Sequence, residues 1–95
     1  MYEGHAAGLH FRAGRWPPRA GEPLVLLIHG AGSSGGFWQD YLDAFPAACA
    51  VAPDLPGRGG SEGEPGPDIA SRAQAVERFL DEVRPAGPVI PVGFS

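Results

Sequence analysis

The sequence predicts an α/β fold: a hairpin, then β-α-β-α-β around a mostly parallel sheet. Three observations carry this. Leu24-Val25-Leu26-Leu27-Ile28-His29 is apolar in both phases, as a strand covered on two faces must be. Cys49–Asp54 and Val89–Val92 have the same character. Segments with helical periodicity separate the three runs, and strands alternating with helices imply parallel pairing through right-handed crossovers.

The elements follow in order. Tyr2 to Ala6 and Leu9 to Ala13 partly alternate, with Gly8 near the turn, and read as a hairpin. Residues 14–23 carry three prolines and two glycines and read as loop. After the first main strand comes a Gly/Ser loop, Gly30 to Gly36, then a short helix over Phe37–Phe45, where Phe37, Trp38, Tyr41, Leu42 and Phe45 form one stripe before Pro46. Cys49–Asp54 is the second strand, its proline placed late, where a lost ladder bond matters least. Residues 55–67 are loop. Asp68 or Ser71 caps the next helix, with Ser71 and Gln74 matching a capping box. Ile69, Ala73, Val76, Leu80 and Val83 share its inner face, and Asp68–Arg72 is a favourable i,i+4 pair. Pro85 and Gly87 stop the helix, and Val89–Val92 is a third buried strand.

Ninety-five residues fit one small domain. Fifteen glycines and 11 prolines approach the range of low-complexity disorder, but 43 % hydrophobic residues and a net charge of only -4 argue for a packed core. Mild acidity excludes a basic nucleic-acid footprint, and all seven basic residues are arginine. No apolar run approaches the ~20 residues of a membrane span. The N-terminus lacks the basic and apolar regions of a signal peptide. The single cysteine, Cys49, reads as a small buried residue, no Cys/His cluster has metal spacing, and a cytoplasmic protein is expected.

Ligands of such sheets bind at the carboxyl ends of the strands. Three special segments sit there: His29-Gly30-Ala31-Gly32-Ser33-Ser34-Gly35-Gly36, Asp54-Leu55-Pro56-Gly57-Arg58-Gly59-Gly60-Ser61 and Gly93-Phe94-Ser95. The first contains Gly30-Ala31-Gly32-Ser33-Ser34-Gly35, a G-x-G-x-x-G after a strand, with Asp54 following 19 residues after Gly35. That is also the pattern of a Rossmann-like dinucleotide-binding domain, whose acid holds a ribose hydroxyl.

The three segments together, in this order and on strand ends, resemble the N-terminal third of the α/β-hydrolase superfamily, over residues 9–95. By this resemblance residues 1–95 are the N-terminal part of a single α/β-hydrolase domain, and the function is that of a serine hydrolase acting on carboxylic esters. Gly93-Phe94-Ser95 opens the nucleophile elbow, so Ser95 is implied as nucleophile. Ala31, after His-Gly, is implied as a backbone donor of the oxyanion hole, with Gly30, Gly32 and Phe94 lining the substrate pocket. His29 falls at a structural position. Asp54 and Arg58 brace the loop, Arg58 through an ion pair, and Ser33 and Ser34 act as helix caps. No metal or cofactor is implied.

The triad acid and histidine are absent from the sequence, since His5 and His10 precede the first main strand. The remaining C-terminal part of the hydrolase is therefore expected as a second chain, and the 95 residues alone as inactive. A non-catalytic protein of the same fold is the other alternative.

Overall fold

β1 (Tyr2–Ala6) and β2 (Leu9–Ala13) form the expected hairpin, in register from Tyr2↔Ala13 to Ala6↔Leu9. Its two-residue turn has positive φ at both Ala7 (52°) and Gly8 (79°), the twist that suits a tight hairpin. The Ala7 N–H donates to Glu82 Oε2 at 2.6 Å, tying the hairpin tip to the long helix. The computed structural model describes residues 1–30, 32–61, 63 and 68–93.

β3 (Leu24–Ile28), β4 (Ala50–Pro53) and β5 (Val89–Gly93) complete a five-stranded sheet in the order β1-β2-β4-β3-β5. β4 and β5 both run parallel to β3, while β2 is antiparallel to β4, so the hairpin extends a parallel core as a mixed sheet. The crossover from β3 holds a 3-10 helix (Gly35–Trp38) and α1 (Gln39–Ala44); the crossover from β4 holds α2 (Ile69–Val83). The two crossovers leave in opposite directions along the sheet, so a common hand puts α1 and α2 on opposite faces.

The core divides accordingly. On the α2 face, Leu24, Leu26, Val51, Phe11 and Phe79 pack with Ala6, Leu9, Ala13 and Cys49. Phe79 meets Phe11 edge-on, and Trp16 and Tyr2 continue the aromatic group. On the α1 face, Leu27, Ala50 and Ala52 pack with Leu42, flanked by Val25 and Trp38. Strand alternation produces this split, because neighbouring side chains point to opposite faces.

Several expectations need correction. The first helix begins earlier than Phe37 and starts as a 3-10 turn, because the Ser34 hydroxyl accepts the Gly36 N–H at 3.2 Å and starts the turn there. Its aromatic stripe is only partly inward: Leu42 is buried and Trp38 half-buried, but Phe37, Tyr41 and Phe45 are exposed. In α2, Asp68 is the cap, its carboxylate accepting the Ser71 N–H at 2.8 Å. Ser71 therefore lies inside the helix. The inner face centres on Ala75 and Phe79, with Val76, Leu80 and Val83 beside them; Ile69 is 78 % exposed and Ala73 also faces out. The large Phe79 ring sets this rotation by filling the space over Phe11. α2 ends on Arg84 in the left-handed conformation, φ 49°.

β5 is uncovered among the described residues, as the 95 residues taken alone would leave it. It pairs with β3 alone among the described residues, and Ile90 and Val92 are 48 % and 38 % exposed. Their register with Val25 and Leu27 puts them on the α1 face, where α1 lies over β3 and β4 instead. The Leu24 N–H donates to the Pro88 carbonyl, so by alternation the Pro91 backbone faces away from β3. Its missing donor thus falls on the open edge, where a strand proline is tolerated.

Candidate active site

β4, β3 and β5 end at one side of the sheet, and the strand order reverses about β3. Such a reversal is where open α/β sheets hold ligands. The register Ile28↔Gly93 brings the ends of β3 and β5 side by side.

Asp54, at the end of β4, is 1 % exposed and organises this edge. Its Oδ1 accepts the Gly35 N–H at 2.5 Å; its Oδ2 accepts the Gly60 N–H at 2.9 Å and His10 Nδ1 at 2.8 Å. Burial alone would push this carboxyl up. The hydrogen bonds from Gly60, His10 and Gly35, with the charge of His10, outweigh burial and hold it below its ordinary value. The close approach dictates the neighbouring glycines. A Cβ on Gly59, where φ is +50°, would lie 2.3 Å from Asp54 Oδ2; one on Gly35 would lie 2.7 Å from the Ala52 carbonyl.

Ser61 closes the same loop onto the sheet. Its hydroxyl donates to the Asp54 carbonyl and accepts the His10 N–H at 3.0 Å. Arg58 braces the loop through its backbone, its N–H donating to the Leu55 carbonyl and its carbonyl accepting the Ser61 N–H. No ion pair of its side chain is found among the described residues, and two carboxylates of the same loop, Glu62 and Glu64, lie outside them.

His29 follows β3 and is 3 % exposed. Its Nε2 accepts the Leu55 N–H at 3.0 Å, so Nε2 is bare and Nδ1 carries the proton. Nδ1 then donates to the Gly30 carbonyl at 2.8 Å. The same carbonyl accepts the Ser33 N–H at 3.1 Å, closing a turn whose third residue, Gly32, has φ +81°.

Of the residues singled out from the sequence, Gly30 and Gly32 lie in this turn at the end of β3. Ser34 is the expected cap, whereas Ser33 serves the turn through its backbone N–H. Ala31, Phe94 and Ser95, together with Glu62 and residues 64–67, lie outside the described residues. Cys49 is buried, and burial pushes its thiol up against a smaller opposing effect of Arg15. Asp54 cannot hold a ribose hydroxyl, since both its oxygens face the chain's own donors; this overturns the dinucleotide alternative. Sequence reasoning missed Ser61 and His10 as partners of Asp54. Ser61 closes the Asp-x-Pro-Gly-x-Gly-x-Ser run and could have been paired with Asp54; nothing local marked His10, whose link crosses the β2–β4 pairing.

The alpha/beta hydrolase family matches residues 25–95, well over half of the chain. The chain belongs to that family. Comparison with curated proteins gives no match. Among the described residues, no helix is long and apolar enough to cross a membrane.

Proposed function

We propose that this chain supplies the nucleophile and one oxyanion donor of a serine hydrolase acting on carboxylic esters. The observation that carries the reading is the register Ile28↔Gly93: the segments that continue into His29-Gly30-Ala31 and Phe94-Ser95 leave neighbouring strands, about 4.8 Å apart, at the ligand-binding end of the sheet. Ser95 Oγ attacks the ester carbonyl while a histidine base takes its proton. The Ala31 N–H helps hold the oxyanion, and Gly30, Gly32 and Phe94 line the pocket. The proton then passes to the leaving alkoxide, and water, deprotonated by the same base, releases the acid and restores Ser95.

The base is not one of this chain's histidines. Both ring nitrogens of His29 are occupied. His10 and His5 stand on β2 and β1, about 14 and 19 Å across the sheet from β5 at ~4.8 Å per strand. The base and triad acid come from the remaining part of the hydrolase, which we place on the α1 face of β5. The exposed Ile90 and Val92, with Tyr41 and Phe45 of the α1 segment, support such a partner. The unpaired Cys49 supports a cytoplasmic setting.

In the complete hydrolase, a fluorophosphonate probe should label Ser95 and block hydrolysis of a p-nitrophenyl ester, and Ser95→Ala should lose both. Hydrolysis that survives Ser95→Ala would overturn the reading.

A further inference from the structure

We propose that the open edge of β1 pairs antiparallel with β1 of a second copy of this chain, in the register that sets Glu3 opposite the other copy's His5. The proposal is independent of the esterase reading and uses the end of the sheet farthest from β5. β1 has β2 as its only neighbour among the described residues. The backbone of His10 is spent on the far side of β2, its N–H donating to Ser61 and its carbonyl accepting the Asp54 N–H. The pair His5↔His10 is therefore of the kind that exchanges no bonds, and the N–H and carbonyl of His5 point outward. By alternation those of Glu3 do too. The next outward N–H, that of Ala7, already donates to Glu82, so the free edge ends at His5.

An unpaired edge of this kind is a template for another strand. Two-fold pairing through these outward groups has few registers. One opposes Glu3 to Glu3, and like charges directly opposite destabilise a sheet. One opposes His5 to His5 and needs the Ala7 N–H that Glu82 holds. The remaining register opposes Glu3 to His5 at two symmetric places, where their backbones exchange bonds. Gly4 then meets its own copy on the two-fold axis, at the closest Cα approach of an antiparallel pair, about 4.5 Å. The rings of Phe11 and Tyr2 already fill the place of a Cβ there, 2.9 and 3.1 Å from it. Glu3, which leans toward the diagonal His10 at 3.8 Å and stays 55 % exposed, gains a facing imidazole. Read across the joined sheet, each Glu3 stands between its own Arg12 and the other copy's His5. On the opposite face the exposed Tyr2 comes against the small Ala6, which removes apolar surface from water.

One strand pair is a small interface, so sedimentation velocity of the complete hydrolase should show a monomer–dimer equilibrium with a Kd of about 1–100 µM. His5→Glu sets carboxylate against carboxylate at both symmetric places and should weaken the dimer at least about tenfold. Glu3→Lys/His5→Glu restores opposite charges and should recover the Kd to within about threefold. His5→Pro removes an outward N–H while leaving the β1–β2 bonds in place, and should also abolish the dimer.

A protein that stays monomeric throughout that concentration range overturns the proposal. So does a dimer that His5→Glu and His5→Pro leave intact, or one that the charge exchange fails to recover. If the variants fail to fold, amide hydrogen exchange of the unaltered protein decides. The Glu3 and His5 amides should exchange at least about tenfold more slowly as the dimer fills, while those of Tyr2 and Gly4, already bonded to β2, hold their rates. Protection of Glu3 and His5 that does not vary with concentration means that the hydrolase's own chain covers the edge, and sinks the proposal.

Discussion

His10 Nδ1 lies 2.8 Å from Asp54 Oδ2, joining the second strand of the hairpin to the residue that ends β4. The Asp54 N–H donates to the His10 carbonyl at 2.8 Å, so the two residues are bonded through both backbone and side chain. With Gly35 and Gly60 on the same carboxylate, one residue ties three loops and strands together. Removing it leaves three donors without an acceptor, each costing about 1–3 kcal/mol where water cannot replace it. Asp54→Ala should therefore lower unfolding free energy by at least about 3 kcal/mol in urea titration, and Asp54→Asn by less, because one oxygen remains.

The same carboxylate makes stability depend on pH in a defined direction. Asp54 is held below its ordinary value, so the unfolded chain binds the proton more readily. Its contribution is complete above the unfolded pKa of about 3.9 and is lost as pH falls through the lower folded value. The stability gap between the unaltered chain and Asp54→Asn should shrink as pH falls below about 4. A gap that widens in acid would contradict the assigned hydrogen bonds.

Two glycines with positive φ should respond differently to alanine. Gly21, at φ +76°, has open space where a Cβ would go, so Gly21→Ala should cost only the backbone strain, about 1–2 kcal/mol. Gly59→Ala adds a collision with a carboxylate that three bonds hold in place. It should cost about 1–3 kcal/mol more than Gly21→Ala, read from denaturation midpoints.

The rotation of α2 is testable by a pair of truncations. Phe79 is fully buried against Phe11, and Phe79→Ala should cost about 3–5 kcal/mol. Ile69, which periodicity placed inward, is 78 % exposed, and Ile69→Ala should stay within about 0.5 kcal/mol.

The fold was legible wherever a run of side chains answered to one environment. Leu24–Ile28 and Ala50–Pro53 are sheathed on both faces, so an unbroken apolar run marked them. The hairpin was readable from Gly8 and partial alternation. β5 was legible as a strand from the same apolar composition, and Ile90 and Val92 stand uncovered among the described residues. The face of α2 was misread because Ile69 and Val83 lie a near-whole number of turns apart, which fits the period as well as Ala75 and Phe79 do. At the site, local motifs led to His29, Gly30 and Asp54. The bonds that assign their roles come from Leu55, His10 and Gly60, and these depend on the pairing of β2, β4 and β3.

The division of the core by the sheet has an energetic consequence. Leu42 and Phe79 belong to separate clusters with a layer of backbone between them, and the two clusters have no member in common among the described residues. Damage on one side has no packed path to the other, so the double variant Leu42→Ala/Phe79→Ala should show no thermodynamic coupling beyond about 0.5 kcal/mol. The molecule then behaves as two independently mutable interiors that share one wall.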